Sequence, residues 1–437
     1  MLKGKDMSTC KVCNVKFGWW RRATPHSCGV CGITPLCSEC VDLAIVHPAT
    51  RRDVVGVCDQ CFTKHTSLNM EVGFEIITPA SVQHDAISAT KDAAAEGSHE
   101  PVSASPPEMH PPPTVAVAPA AATADRVLPS VSVGKEPWIV LVHGGGGCRA
   151  MFRPLARKLA RAGFRCLLPD LPGHGGRKDM PLSLQSAVAQ LKHDIETNCE
   201  GQRPIYLGGS LGGSVGMELL GAHPSLCAAA IICMSGQAVG QGASVKAKAA
   251  LGAMYYMSGV LTGPRVARQM FKIAKESKNL VPEYITETVL EPGWFFKSRN
   301  QQVAVLRETD PLNAVARYDG PVFYINGEED HRDIEGLLIK SSRVNNSNSE
   351  LWTIPCADHF FSHDKRFVED FEARVVEFAV RNSASVLQPF VSPVADSVRM
   401  GVAATAKPDN IEGATVAAKE SHSDPVTDMK PADSGSE

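Results

Sequence analysis

The sequence predicts an α/β protein, a parallel sheet with helices on both faces, preceded by a small cysteine-rich module. Three observations carry this. Six short apolar runs, "WIVLVH", "RCLLPD", "PIYLGGS", "AAIICMSG", "PVFYING" and "ELWTIP", have the β-branched and aromatic content of buried strands. Amphipathic segments separate several of them; in "MFRPLARKLARAG" (151–163), Phe152, Leu155, Ala156 and Leu159 share one face. Such alternation implies a parallel sheet whose ligand sites gather at the carboxyl ends of the strands. The third observation is that eight of the fourteen cysteines fall within the first 61 residues, as four C-x2-C pairs.

Taken in order, residues 1–66 form the cysteine module. The N-terminus, "MLKGKDMSTC", lacks the apolar core of a secretory signal, so a cytosolic, reducing setting is expected. There, C-x2-C pairs read as metal ligation rather than disulfides. The spacing is Cys10-x2-Cys13, x14, Cys28-x2-Cys31, x5, Cys37-x2-Cys40, x17, Cys58-x2-Cys61. Eight thiolates make two closed four-cysteine sites, hence two structural Zn²⁺. So short a segment with little apolar content needs the metal to fold. Cys148 and the later cysteines are expected to be small buried apolar residues.

Residues 67–135 read as a linker, since the stretch from about 80 is dominated by Ala, Pro, Ser, Thr and Val and buries too little to offset its ordering entropy. Residues 136–382 form the α/β domain, and residues 383–437 a disordered tail. No run of eighteen apolar residues exists, so no transmembrane helix is expected. A net charge of -3 gives no global attraction to nucleic acid.

Within the α/β domain, "IYLGGSLGGS" (205–214) carries G-x-S-x-G between a predicted strand and a predicted helix. The turn is so tight that side chains two residues either side of Ser210 would clash, which glycine avoids; the serine hydroxyl is lifted above the sheet edge. A nucleophilic serine needs a base and a group to orient it. Asp330, after "PVFYING", is the expected acid and His359, after "ELWTIP", the expected base. His331, His363, Asp333 and Asp310 are near misses, read as surface or lid residues. The expected oxyanion donors are the backbone N–H groups of Leu211, next after the nucleophile, and of Gly145 in "HGGGG" (143–147), with His143 holding that loop. The P-loop ending G-K-[ST] is missing, which argues against a phosphate cradle.

Together, "WIVLVHGGGG", "LLPDLPGHGG", "GGSLGG", "INGEED" and "IPCADHF" resemble the α/β-hydrolase family, over about 55% of the chain. The resemblance implies a mostly parallel sheet with a helical lid, here at about 237–315, where Met254, Met257, Met270, Phe271 and Ile273 have helical spacing. It implies a serine esterase, similar to monoacylglycerol lipases, acting on a carboxylic, lipid ester without a catalytic cofactor. A thioesterase or acyltransferase using the same residues is the alternative; His359 and Asp364 form H-x4-D, a spacing found in some acyltransferase relatives. A non-catalytic membrane-trafficking adaptor is the other.

The cysteine module, with "HSCGVCG", "LCSEC" and "GVCDQCF", resembles a FYVE zinc finger. The resemblance implies cross-bracing, with Cys10, Cys13, Cys37 and Cys40 on one zinc and Cys28, Cys31, Cys58 and Cys61 on the other. It also implies binding of phosphatidylinositol 3-phosphate on endosomal or other cytosol-facing membranes. The chain departs from the family pattern: Lys3 stands in place of the WxxD tryptophan, Ser27 in place of a histidine, and Gly56 in place of an arginine, whereas Asp6 and His26 fit. Trp19 and Trp20 occupy the loop that enters the bilayer in this family, with Arg21 and Arg22 beside them to meet anionic headgroups at about 1 kcal/mol each.

Overall fold

All six apolar runs form strands, and alternation along them sorts two cores. The computed structural model describes residues 9–12, 16, 26–37, 40, 43–83, 136–235, 263–296, 298–330 and 348–387. The strands are β1 (Leu43–Val46), β2 (Val54–Val57), β3 (Phe74–Ile77), β4 (Trp138–Val142), β5 (Arg165–Pro169), β6 (Ile205–Gly209), β7 (Ala229–Cys233), β8 (Trp294–Phe295), β9 (Val322–Gly327) and β10 (Glu350–Ile354). The helices used below are α1 (Asp59–His65), α2 (Arg153–Arg161), α3 (Leu184–Asn198), α4 (Leu211–Ala222), α5 (Gly263–Glu276), α6 (Arg299–Glu308), α7 (Pro311–Val315) and α8 (Val368–Val386).

Seven strands make the main sheet in the order β10-β9-β7-β6-β4-β5-β3. Every pair is parallel except β3 on β5, where Phe74 stands opposite Pro169 and Ile77 opposite Cys166. Ile139, Leu141, Leu207 and Ile231 face α2 and α8, packing on Leu155, Leu159, Phe371 and Val375. Val140, Val142, Tyr206 and Ile232 face α3 and α4, packing on Leu191, Ile195, Val215 and Leu219. Period-two alternation thus fills both layers from one set of strands. The predicted face of 151–163 is confirmed: Phe152, Leu155, Ala156 and Leu159 are all buried. From β4 the chain first runs to β5 at one side, then crosses to β6 and onward at the other. That reversal opens a crevice between the carboxyl ends of β4 and β6.

Three expectations are corrected. Residues 67–83 are not linker: they carry β3, the edge strand of the main sheet, because Phe74–Ile77 completes the exposed side of β5. The remainder of that segment, 84–135, lies outside the described residues. The domain does not end at 382: α8 continues to Val386, which is fully buried and accepts at its carbonyl from Arg203 N–H at 3.4 Å. The buried-cysteine reading holds for Cys148, Cys166, Cys199, Cys227 and Cys233 but not for Cys356, which is exposed at φ 57°.

The cysteine module is not a body on a tether. Its hairpin β1–β2 is extended by β8, from the α/β domain, into a three-stranded sheet, with Leu43 opposite Phe295 and Ala44 opposite Trp294. Polar contacts seal the joint. Arg149, on the loop after β4, pairs with buried Asp170 and donates to the carbonyls of Asn69 at 2.6 Å and Val72 at 3.0 Å. Lys178 bridges to Asp59 of α1 at 2.7 Å. Among the described residues, no helix is long and apolar enough to cross a membrane. Of the expected lid, 236–262 lies outside the described residues, including Met254 and Met257. On α5, Ile273 is exposed rather than packed.

Candidate functional site

Ser210 terminates β6 and opens α4 with φ 52° and ψ −118°, a left-handed backbone that costs a serine about 1–3 kcal/mol. Its neighbours leave no alternative. A Cβ on Gly212 would stand 2.5 Å from the Val142 carbonyl oxygen and 2.6 Å from that of His143. One on Gly208 would stand 2.6 Å from the Gly212 oxygen. The elbow is thereby wedged against the end of β4, and Ser210 N–H donates to Cys233 O at 3.0 Å.

Asp330 follows β9 and His359 follows β10, so both stand at the edge of the sheet where β6 ends. His359 Nδ1 lies 2.7 Å from Asp330 Oδ2. The carboxylate, whose side chain is 7% exposed, fixes the proton on Nδ1 and leaves Nε2 of the 35%-exposed imidazole as a base. The near misses do other things. Asp310 accepts from Asn313 Nδ2 at 2.6 Å at the start of α7. His363 is not a surface residue: it is buried between Ser362 Oγ, 2.9 Å from Nδ1, and Thr288 Oγ1, 3.1 Å from Nε2. His331 and Asp333 lie outside the described residues. Asp364, the other member of H-x4-D, is turned to Arg366, which reaches it at 2.8 Å, while His359 is turned to Asp330.

The "HGGGG" loop lies against Ser210: a Cβ on Gly144 would be 3.2 Å from Ser210 Cβ. One on Gly145 would be 2.6 Å from Gln302 Oε1 and 3.8 Å from Leu211 Cδ2, so the two expected donor residues adjoin. Leu211 N–H opens a twelve-residue helix, where the dipole favours negative charge.

Two buried histidines lock this loop to "DLPGHG". His143 Nδ1 donates to Gly144 O at 2.8 Å and its Nε2 accepts from Leu171 N–H at 3.0 Å. His174 Nδ1 donates to Pro172 O at 2.9 Å, and its Nε2 accepts from Gly146 N–H at 3.4 Å and Gln302 Nε2 at 3.0 Å. The rings meet edge to face at 4.9 Å. Burial pushes His143 down to about 4 and His174 to about 3, so both are neutral at pH 7. The structural reading of His143 holds. His174 was visible in the sequence as part of "DLPGHG" but carried no assigned role, and Gln302 carried no sequence signal at all.

The family described as "alpha/beta hydrolase fold" matches residues 137–366, more than half of the chain. The chain belongs to the alpha/beta hydrolase fold family. Among curated relatives of this alpha/beta hydrolase, a thermostable monoacylglycerol lipase of Bacillus sp. (strain H-257) is 32% identical over 99 residues, 20% of this chain and 37% of the relative. A pimeloyl-[acyl-carrier protein] methyl ester esterase of Shewanella oneidensis is 32% identical over 94 residues, 22% of this chain and 33% of the relative. The matched stretches thus span about a third of the length of these relatives. Among solved structures, the monoacylglycerol lipase of Paleococcus ferrophilus aligns with a TM-score of 0.43 and 19% identity, covering 59% of this chain and 97% of that one.

The cysteines converge in two clusters. Cys28, Cys31, Cys58 and Cys61 bring their Sγ atoms within 4.8 Å of one another, and so do Cys10, Cys37 and Cys40. Cys13 lies outside the described residues. A tetrahedron of thiolates at about 2.3 Å from zinc has edges of roughly 3.8 Å, and Cys31 Sγ lies 3.8 Å from Cys58 Sγ. Backbone N–H groups donate to two of the sulfurs, Cys58 N to Cys28 Sγ at 3.4 Å and Cys37 N to Cys10 Sγ at 3.3 Å, as suits an anionic thiolate. Each cluster therefore fits a metal ion. His26 is partly exposed, in an isolated bridge opposite Leu36. Trp19, Trp20, Arg21 and Arg22 lie outside the described residues.

Proposed function

We propose that this hydrolase is a serine-type carboxylic ester hydrolase acting on a lipid ester at a cytosol-facing membrane. Ser210 Oγ attacks the ester carbonyl while His359 Nε2 takes its proton and delivers it to the leaving alcohol. Asp330 holds the imidazole tautomer and stabilises the imidazolium. The N–H groups of Gly145 and Leu211 receive the oxyanion. Water activated by His359 then releases the acid. The observation that carries this reading is the 2.7 Å His359–Asp330 hydrogen bond at the sheet edge where β6 delivers a strained Ser210. The names of the two curated relatives, a monoacylglycerol lipase and a methyl ester esterase, support an ester as substrate. The pairing of Asp364 with Arg366 disfavours an H-x4-D acyltransferase.

Two structural zinc ions, one held by Cys28, Cys31, Cys58 and Cys61 and one by Cys10, Cys37, Cys40 and Cys13, would hold the finger folded and would not touch the ester. The module is FYVE-like and places Trp19, Trp20, Arg21, Arg22 and His26 at the membrane, with phosphatidylinositol 3-phosphate as its lipid and endosomes as its location. Support comes from the cross-braced grouping of the described cysteines.

The test is hydrolysis of an ester panel, from short acyl chains to monoacylglycerols, by the full chain and Ser210→Ala. Activity that rises with chain length and disappears in the variant is expected; turnover surviving the substitution overturns the mechanism. Sedimentation with phosphatidylcholine vesicles, with and without phosphatidylinositol 3-phosphate, tests the membrane role; equal binding to both refutes phosphoinositide recognition.

A further inference from the structure

β8 is two residues long and serves two partners. On one side Phe295 and Trp294 pair with Leu43 and Ala44 of the cysteine module. On the other, Phe295 N–H donates to the Gly146 carbonyl at 3.1 Å. Gly146 sits at φ +75°, and a Cβ there would stand 2.7 Å from Phe296 Cε1, so the loop lies flush against this strand's end. The peptide groups on either side of Gly146 are thus held by two different segments, the amide by His174 and the carbonyl by a strand that completes the finger's sheet. Gly145, one residue earlier, carries the expected oxyanion donor.

The packing repeats the hydrogen bonding. Phe62 of α1 meets Phe295 edge to face at 5.0 Å, and both are fully buried. Their cluster takes in Cys10, Cys28, Cys37, Cys58 and Cys61 together with Cys148 and Ala150, which directly follow the loop. The metal-ligating thiols and the far end of "HGGGG" therefore share one apolar core. The joint has no slack: Thr66 Oγ1 donates to Pro292 O at 2.8 Å, and a Cβ on Gly293 would stand 2.8 Å from Ala44 O.

We propose that the cysteine module is a brace of the oxyanion loop, with Phe62 as a positioning residue that acts through Phe295 on Gly146. This rests on the reading of Gly145 and Leu211 as oxyanion donors. A module used for membrane targeting alone would keep its core to itself. Here, loosening the module around its metal removes the support of β8 and leaves the Gly146 carbonyl unheld. Turnover then follows the state of the thiols some distance from the substrate. A misplaced catalytic group costs roughly 10² in rate, so the brace should register in kcat and leave substrate binding nearly intact.

The experiment compares the full-length wild type with Phe62→Ala and Phe62→Leu. It reads kcat and KM on the best ester, bound zinc, and hydrogen–deuterium exchange of the peptide spanning 143–150. Phe62→Ala is expected to lose about ten- to a hundredfold in kcat, keep KM and bound zinc near wild type, and exchange faster at 144–147. Phe62→Leu, which refills most of the space, should recover most of kcat and slow the exchange again. Wild-type kcat in Phe62→Ala, or exchange at 144–147 identical in all three proteins, overturns the brace. If Phe62→Ala does not fold, Phe62→Val, which leaves the space against Phe295 partly empty, decides by the same exchange measurement: faster exchange at 144–147 than in the wild type is expected, and no acceleration overturns the brace. If the wild type turns over no ester, the proposed activity fails, and exchange at the loop alone still tests the brace.

Discussion

Three histidines, His143, His174 and His363, are buried without a carboxylate partner, and burial holds them at about 4, about 3 and about 4 against an ordinary 6.5. In the unfolded chain each takes up a proton as pH falls through 6.5; in the folded chain each refuses it until near its lowered value. The unfolded state therefore binds more protons in that window, and stability falls with pH. The stabilisation is complete above about 6.5 and is lost between there and about 4 for His143 and His363, and down to about 3 for His174. At about 1.4 kcal/mol per pH unit, each histidine removes about 2 kcal/mol between pH 7 and pH 5. The three together remove roughly 6 kcal/mol as an upper limit, comparable with the whole stability of many domains. Buried Glu372 and half-buried Glu218, both raised by desolvation, act in the opposite sense. A difference measurement cancels them. His363→Gln removes one of the three titrations, so the wild-type advantage over this variant should shrink by about 2 kcal/mol from pH 7 to pH 5. Urea unfolding at both pH values, read by tryptophan fluorescence, measures the shrinkage. Parallel pH profiles for the two proteins would refute the reasoning, because they would mean that His363 titrates alike folded and unfolded.

Further outcomes follow from the same geometry. Asp330→Asn should lower kcat by about 10⁴ with the fold intact, whereas Asp364→Asn should leave kcat within about twofold; steady-state kinetics on one ester separates them, and the reverse order would restore the H-x4-D reading. Gly212→Ala drives a methyl into two backbone carbonyls of β4 and its exit, and should destabilise by about 3 kcal/mol or prevent folding. Gly201→Ala, at φ +74° with open space around it, should cost only about 1 kcal/mol; thermal melts of the pair test whether close contact or backbone angle dominates. Arg149→Met strands the buried Asp170 carboxylate and releases two carbonyls of the module's connection. It should cost about 3–5 kcal/mol, and replacing Asp170 by Asn in the same chain should recover part of the loss.

The sequence by itself determined the strands of the main sheet from β4 onward, the elbow and the residues at the strand ends. Those signals are local: apolar runs of buried strands, glycines two residues from a serine, acid and imidazole just beyond a strand. Cysteine spacing likewise announced the thiol clusters. What escaped the sequence are contacts between distant segments. β3 is four residues, FEII, in a stretch of mixed composition, and becomes a strand only because β5 has an unpaired edge. β8 is two residues and exists only because β1 lies beside it. His363 reads from the sequence as a surface or lid residue, and only the fold shows it buried against Thr288. Local pattern reports which face of an element seeks a core, but not which other segment supplies that core. The docking of the cysteine module beside the "HGGGG" loop belongs to this second kind. It depends on Phe62 meeting Phe295 across more than two hundred residues, and only tertiary packing decides that.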